Sequence, residues 1–132
     1  MRRMFATVIA MFLGVGTVGV DAHHSYSEFQ DQTASVEGSI MAVEFANPHT
    51  TMTLRTTDGA VYTATWNAAF QLARMGVRQT DLNIGDVVMI TGHSHRDPTV
   101  HELAKLREVR RLRDGWAWKS EDGRVTVTAG RR

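Results

Sequence analysis

Short stretches of alternating apolar and polar residues, separated by turn sequences, restrict this chain to a mostly β fold. Successive side chains of a strand point to opposite faces, so a period of two indicates a strand with one buried face. On this basis strands are predicted over residues 36–45, 50–56, 61–66 and 87–91. Asp58-Gly59 is typical of a tight hairpin, and Asn47-Pro48 ends the first strand because proline has no N–H donor. Gly38 indicates a bulge or a sharp bend.

One segment breaks the period of two and predicts a short helix between the third and fourth strands. Its apolar residues fall on a helical stripe: Ala69, Phe70, Leu72, Ala73 and Met75. Asn67 precedes the stripe and suits the N-cap, while Gly76 follows it and suits the left-handed residue that ends many helices. Residues 92–99 are predicted to form a polar loop after the fourth strand.

Residues 103–113 give conflicting indications. Four apolar residues recur there at every third position: Leu103, Leu106, Val109 and Leu112. The composition favours a helix, but the order of the elements requires a fifth strand, and tertiary context overrides local propensity. We predict a strand. Beyond it, alternation around Trp116 and Trp118, a turn at Asp122-Gly123 and alternation over residues 124–128 predict a C-terminal hairpin.

Three strands, a helix and two strands make up the element order of a small five-stranded barrel of the oligonucleotide/oligosaccharide-binding (OB) type. We therefore predict a mainly β, OB-like barrel over residues 36–115, with one short helix between strands 3 and 4. Residues 23–35 are predicted as an extended N-terminal arm whose Tyr26 and Phe29 rings pack onto the barrel, and residues 116–132 as a hairpin tail. The chain has no cysteine, which excludes disulfides, thiolate nucleophiles and cysteine-based zinc sites.

The start of the chain has the features of an export signal. Two arginines precede an uncharged, mostly apolar run over residues 4–20, and Ala22 ends a cleavage sequence before His23. The run is near the lower length limit of a membrane-spanning helix, so an uncleaved anchor is the alternative. The sequence predicts a signal peptide over residues 1–22, a periplasmic or secreted mature protein, and no stable membrane span after cleavage.

Three groups of residues occur in an order and spacing that resemble a known family. They are Ala22-His23-His24-Ser25-Tyr26; Glu37-Gly38-Ser39-Ile40 leading to Glu44-Phe45-Ala46-Asn47-Pro48-His49; and Leu72-Ala73-Arg74-Met75-Gly76 followed by Leu82-Asn83-Ile84-Gly85-Asp86-Val87-Val88. Together they resemble the bacterial exported family called domain of unknown function 6152, over roughly residues 22–115. The resemblance implies a small exported β-barrel protein and no established activity. The segment around His93 and the tail around Trp116 depart from the family pattern.

The histidines are the main candidates for a binding site. Cleavage after Ala22 would give His23 both a free α-amino group and an imidazole, and His24 adds another nitrogen. Both kinds of group can be deprotonated ligands near neutral pH, and nitrogen ligation favours Cu(II) over Zn(II) and Ni(II). His49 is a third candidate ligand if the arm folds back across the barrel. The alternative is that His23 and His24 belong to a polar arm and that His49 is a turn residue bonded to the backbone.

Other side chains also leave two interpretations open. In an extended segment His93 and His95 would project from one face, and with His101 they could form a second nitrogen cluster; the alternative is an exposed polar loop. The three tryptophans could form a stacking platform for a sugar or a base; the alternative is core packing for Trp66 and a hairpin face for Trp116 and Trp118. The methionines fit a core better than a Cu(I) site.

Charge is unevenly distributed along the chain. Residues 23–104 carry a net charge of −5 and residues 105–132 a net charge of +5, so the mature chain is formally neutral. The two parts either neutralise each other in one fold or leave a basic tail that docks an acidic partner or a membrane surface. A neutral exported chain disfavours nucleic-acid binding, which depends on concentrated positive charge.

The sequence contains no strong catalytic signature. Ser25 and Ser27 lack the Gly-x-Ser-x-Gly elbow, and Glu37 and Glu44 fall on opposite faces of a regular strand. We therefore predict a non-catalytic interaction module that engages an envelope protein through the barrel surface or the basic, Trp-bearing tail. The alternative function is a copper-binding module that uses the N-terminal histidines.

Overall fold

The computed structural model describes residues 26–131, which form seven strands and one α-helix after a short 3₁₀ turn at Tyr26–Glu28. The elements are β1 (Phe29–Glu44), β2 (Thr50–Arg55), β3 (Val61–Trp66), α1 (Ala69–Arg74), β4 (Val87–His95), β5 (Glu102–Arg111), β6 (Ala117–Glu121) and β7 (Arg124–Thr128), with a second 3₁₀ turn at Gln79–Asp81. Within the described residues, no helix has the length and apolar character needed to cross a bilayer. The predicted signal peptide lies outside the described residues.

Five of the strands close into a barrel. β1 pairs antiparallel with both β2 and β4, β2 pairs with β3, and β4 pairs with β5. A short parallel contact, Thr63 opposite Glu102 and Ala64 opposite Leu103, joins β3 to β5 and completes the ring. This order, with α1 between β3 and β4, confirms the predicted mainly β, OB-like fold.

Side chains from β1 to β6 and from α1 form the core. Its largest fully buried apolar members are Trp118, Ile40, Met52, Leu54, Leu72, Ile90, Leu103, Val88 and Val109. Trp66, Trp116 and Trp118 are only 2%, 4% and 1% exposed. The three rings therefore pack in the core, so Trp116 and Trp118, expected on a hairpin face, are buried like Trp66.

β1 begins at Phe29 rather than at residue 36. Residues 29–35, expected as an extended arm, form the start of the strand and lie against β4. Phe29 is buried as expected, whereas Tyr26 is 52% exposed. The sequence pattern did not reveal this part of β1 because most of its side chains face solvent, so no apolar alternation marks it.

The sheet bends within β1, where the strand changes its partner from β4 to β2. A β-carbon on Gly38 would lie 2.9 Å from the carbonyl oxygen of Arg55, so a close backbone approach requires glycine here. The bulge expected near Gly38 lies slightly later, between Ile40 and Ala42. It places Ile40 in the core and leaves Met41 39% exposed, although simple alternation predicts that Met41 faces inward.

β5 is the predicted fifth strand, and a bulge explains the helical spacing of its apolar residues. Gly92 of β4 faces three residues of β5 between two regular pairings. These extra residues change the phase of the strand, so Leu103, Leu106 and Val109 are all buried at a spacing of three. A β-carbon on Gly92 would lie 2.8 Å from the Leu106 side chain and 3.0 Å from the Ala104 carbonyl oxygen. The bulge therefore packs against β4 only if β4 has glycine at this position.

α1 lies where the sequence predicts it but has different capping groups. Asn67 is not the N-cap, because that position is Ala68. The side chain of Asn47, in the β1–β2 connection, instead accepts a hydrogen bond from the Phe70 N–H at 3.3 Å. Gly76, with a φ of +89°, ends the helix as predicted.

The predicted C-terminal hairpin forms and extends the barrel sheet. β6 pairs with β5 and then with β7. Asp122 and Gly123 between them have φ values of +47° and +76°, as a type I′ turn requires. β4 is longer than predicted: its last residues, expected to begin a loop, continue the strand, so His93 and His95 lie on β4.

Candidate functional site

An interruption in the pairing of β5 leaves an opening in the barrel wall. Along one edge, β5 pairs with β3 at Glu102 and Leu103 and with β6 from Glu108 to Arg110. Residues 104–107, in between, have no strand partner on that edge within the described chain. The space beside them is a cavity of about 460 Å³, within the size range of ligand sites. We term this cavity the β5 slot.

The lining of the β5 slot is rich in hydrogen-bond donors and positive charge. Its polar lining residues include His49, Asn67, Gln71, Lys105, Arg107 and Ser120. Among the described residues, no aspartate or glutamate lines the slot, whereas Lys105 and Arg107 supply two positive charges. The electrostatic character of this cavity therefore favours a negatively charged ligand over a cation.

Two buried tryptophans form part of the wall of the slot. Trp66 ends β3 and Trp118 lies on β6, and their rings meet edge to face with centroids 5.2 Å apart. Neither indole N–H has an acceptor within the described residues, and the hydroxyl of Thr50, opposite Trp66 in the β2–β3 ladder, is also buried without a partner. A buried donor without an acceptor costs about 1–3 kcal/mol. The indole nitrogens are buried behind the surface of the slot, so the charge of its lining comes from Lys105 and Arg107.

A strained backbone holds Lys105 at the slot. Its φ of +47° lies in the left-handed region, which costs a residue with a β-carbon about 1–2 kcal/mol. Lys105 belongs to the β5 bulge, and bulges commonly re-aim a side chain beside a functional site. The Lys105 Nζ lies 4.6 Å from the centroid of the Tyr26 ring, which also lines the slot. This cation–π contact joins the N-terminal turn to the bulge.

Of the three predicted metal ligands, only His49 lies within the described residues. It is exposed and lines the β5 slot. His23 and His24 lie outside the described residues. Between residues 26 and 131, no group of three or more histidine, aspartate or glutamate side chains is arranged to hold a metal ion. The copper site therefore stays a prediction.

The other three histidines lie in two separate places. On β4, His93 Nδ1 bonds to a β1 carbonyl oxygen at 2.8 Å, and His95 Nδ1 accepts from the Asp97 N–H at 3.0 Å. His101 instead stacks on the Tyr62 ring, with centroids 4.7 Å apart. The three imidazoles do not form the second nitrogen cluster that the sequence allowed.

A contrasting group of charged side chains lies where β5 ends. Arg111, only 8% exposed, donates to both carboxylate oxygens of Asp114 at 2.9 and 2.8 Å. Its guanidinium also lies 3.5 Å from the Asp86 carboxylate and donates to the carbonyl oxygen of Asp81. The Asp114 carboxylate raises the pKa of Arg111, and the hydrogen bonds from Arg111 hold the pKa of Asp114 below its usual value of 3.8. We term these four residues the Arg111 cluster.

Only part of the β5 slot is predictable from the sequence. His49 is a predicted metal ligand and the tryptophans are one candidate stacking platform, but Lys105 and Arg107 are expected only as part of a basic tail. The slot forms between strands that are far apart in sequence, so no local motif marks it. The predicted order of strands is the one feature of the sequence that points to the slot, because β5 must pair first with β3 and then with the C-terminal hairpin.

Comparison with known proteins identifies the family of this chain. No curated protein matches it. A chain in the crystal structure of the S. pombe Stn1-Ten1 complex is similar, with a TM-score of 0.49 and 21% sequence identity, over 62% of this chain and 59% of that one. This chain thus spans less than two thirds of the length of that solved chain. The model of a family of unknown function, DUF6152, matches residues 12–104 of the 132 residues. This chain belongs to that family.

Proposed function

We propose that this chain is an exported, non-catalytic interaction module that binds an anionic group of its partner in the β5 slot. One observation carries the proposal: two cationic residues, Lys105 and Arg107, line a cavity that has no carboxylate among its described lining residues. A carboxylate or a phosphate would neutralise both cations at one place, through charge-assisted hydrogen bonds. Export rests on the sequence pattern of residues 1–22 alone.

Citrate and inorganic phosphate are suitable probes because they separate carboxylate recognition from phosphate recognition. Trp66 and Trp118 line the slot, so occupancy should change the tryptophan emission. We expect saturable binding with a Kd of about 1 mM or lower. Lys105→Gln and Arg107→Gln should each weaken it about tenfold or more, because a hydrogen bond to a charged group contributes about 1.5–3 kcal/mol.

Arg124→Gln is the matched control. Arg124 is an exposed cation on β7 that does not line the β5 slot, so its loss should leave the affinity unchanged. An equal loss of affinity in Arg124→Gln and in the slot variants would indicate general attraction to a basic surface and would refute the slot. Absence of saturable binding by both probes would refute it as well.

We propose copper binding by His23, His24 and His49 as a second function, which one observation favours. Tyr26 and His49 both line the β5 slot. His24 precedes Tyr26 by two positions in the sequence, so the two predicted N-terminal ligands directly precede the described part of the slot lining along the chain. The positive charges of Lys105 and Arg107 oppose a cation there, which is why anion binding is the first proposal.

Calorimetric titration with Cu(II) tests this second function on protein whose N-terminus is His23, as checked by mass spectrometry. We expect tight one-to-one binding that is lost when an extra residue precedes His23 and is weakened in His49→Asn. An affinity no higher than that of an unfolded histidine-containing peptide would rule the copper site out. A mature N-terminus at another residue would contradict both the cleavage prediction and the amine ligand.

A further inference from the structure

The β5 slot is closed at both ends in the direction of the strand. β3 pairs with this edge of β5 up to Leu103, and β6 pairs with it from Glu108. The free edge between them, residues 104–107, is the bulge of β5; it lies alongside the two-residue step from Thr91 to His93 of β4, about 7 Å at 3.3 Å per residue. A continuous strand laid along this edge would collide with β3 or β6, so a polypeptide can pair with it only by entering with a chain end.

The charges at the slot determine which chain end fits. An N-terminal ammonium group would be repelled by Lys105 and Arg107, which line the slot without any carboxylate among the lining residues. A C-terminal carboxylate is attracted by both and can accept charge-assisted hydrogen bonds from them. Main-chain groups at a free strand edge supply the remaining bonds in recognition by strand addition.

We infer that the ligand of the β5 slot is the C-terminal end of an extended polypeptide. Its carboxylate binds between Lys105 and Arg107, and its last residue bonds to main-chain groups of residues 104–107 that have no strand partner on this edge. Tyr26, which is 52% exposed and lies over Lys105, packs against the entering chain. The inference rests on the proposed function and narrows it from an anionic group to the terminus of a partner chain.

Three forms of one peptide test this inference on the full chain. The probe is an acetylated, alternating serine–valine peptide of about six residues, with a free C-terminal carboxylate, with a C-terminal amide, or with its last two backbone amides N-methylated. We expect the free-acid form to bind about tenfold tighter than citrate, because strand addition adds main-chain hydrogen bonds to the anion contact. Amidation and N-methylation should each weaken binding about tenfold or more.

Hydrogen exchange gives a second readout that a simple anion site would not produce. The backbone amides of residues 104–107 should exchange more slowly with the free-acid peptide bound than with citrate bound. Lys105→Gln should weaken both ligands, whereas Arg124→Gln should weaken neither.

The outcomes separate this inference from the proposed function. If citrate binds through Lys105 and Arg107 but the free-acid peptide binds no tighter than its amide, the inference is overturned and the anion-binding module stands. If a single-stranded oligonucleotide displaces citrate and outcompetes the peptide, the ligand is a nucleic acid and the inference is also overturned. If neither citrate nor any peptide binds, both proposals are refuted.

Discussion

The β5 slot and the Arg111 cluster occupy successive parts of the same strand and use the same kinds of groups, but they differ in how these groups are paired. In the cluster, the Arg111 guanidinium meets two carboxylates and a carbonyl oxygen from segments before and after β5. In the slot, Lys105 and Arg107 share a cavity whose lining contains no carboxylate, beside two indoles whose N–H groups have no acceptor in the described chain. The cation of the cluster is therefore paired with carboxylates, whereas the cations of the slot have no carboxylate among the described lining residues.

This difference separates a structural role from a binding role. Arg111 links the turn before β4, through Asp81 and Asp86, to the turn after β5, through Asp114, so its bonds fix how these segments meet. At the slot, Lys105 and Arg107 lie together without a carboxylate among the described lining residues, and the explanation we propose is an anionic ligand. The comparison therefore predicts that changes in the cluster act on stability and that changes in the slot act mainly on binding.

The largest expected effect is the loss of stability on replacing Arg111. Arg111→Met should lower the free energy of unfolding by about 3–5 kcal/mol, because it leaves Asp114 without its paired guanidinium and Asp86 with Arg113 alone. Urea denaturation measures the change. Arg110→Met is the matched control, since Arg110 is a neighbouring, exposed cation whose pair with Glu108 should contribute only about 0–1 kcal/mol. Similar losses in the two variants would show that the cluster does not stabilise the fold.

A smaller loss is expected when the β5 bulge is pushed away from β4. In Gly92→Ala, the new methyl group meets Leu106 and the Ala104 carbonyl oxygen, which should cost about 1–3 kcal/mol as overpacking does elsewhere. Because the bulge positions Lys105, citrate binding should weaken as well. Ser94→Ala, two residues further along β4, should leave the affinity for citrate as it is. Full stability of Gly92→Ala would indicate that the bulge moves freely, which is inconsistent with a preformed slot.

The strand alternation predicted most of the barrel, because burial on one face leaves a period of two in the sequence. The exceptions occur where local geometry breaks that period. Leu103, Leu106 and Val109 looked helical because a bulge changes the phase of β5, and Met41 looked buried because a bulge in β1 was expected elsewhere. Asn47 caps α1 from 23 positions away, a distance that propensity rules do not cover.

The candidate site was less predictable than the fold. Its basic residues and tryptophans can be read from the sequence. Whether they serve a ligand depends on whether the fold places carboxylates or hydrogen-bond acceptors beside them. Whether an indole N–H is paired, or whether a cation faces a carboxylate, is a property of strands brought together by the closed barrel. For the same reason, the net charge of +5 over residues 105–132 does not show that Arg111 is paired with carboxylates and that Lys105 lines the slot.

A change at Lys105 should have little effect on stability and a large effect on binding. Lys105→Gly removes the strain of a positive φ but increases the freedom of the unfolded chain, and these opposing effects should leave the stability within about 1 kcal/mol of the wild type. Lys105→Ala removes the same charge and keeps the strain, so it should be the less stable of the two. Both should bind citrate about tenfold more weakly. Equal stability of the two variants would indicate an unstrained Lys105, and unchanged citrate binding would place the anion elsewhere.

The smallest expected effect is the pH dependence that the pairing of Asp114 gives to the cluster. Because hydrogen bonds from Arg111 lower the pKa of Asp114 in the folded protein, the unfolded chain takes up the proton first as the pH falls. The stabilisation is therefore complete well above pH 3.8, the ordinary value, and is lost as the pH falls through the lower, folded-state pKa. Thermal unfolding between neutral pH and about pH 2 should show a shallower acid dependence in Asp114→Asn than in the wild type.

The wild type is the necessary reference for Asp114→Asn, because neighbouring threonines also lower the pKa values of Asp58 and Asp97 and so contribute to the acid dependence of both proteins. Lys105→Gly should retain the full acid dependence of the wild type, since the slot contributes no carboxylate to it. Identical acid dependence in Asp114→Asn and the wild type would mean that the Asp114–Arg111 bond adds nothing to the folded state, and the contrast with the slot would then rest on Asp86 alone.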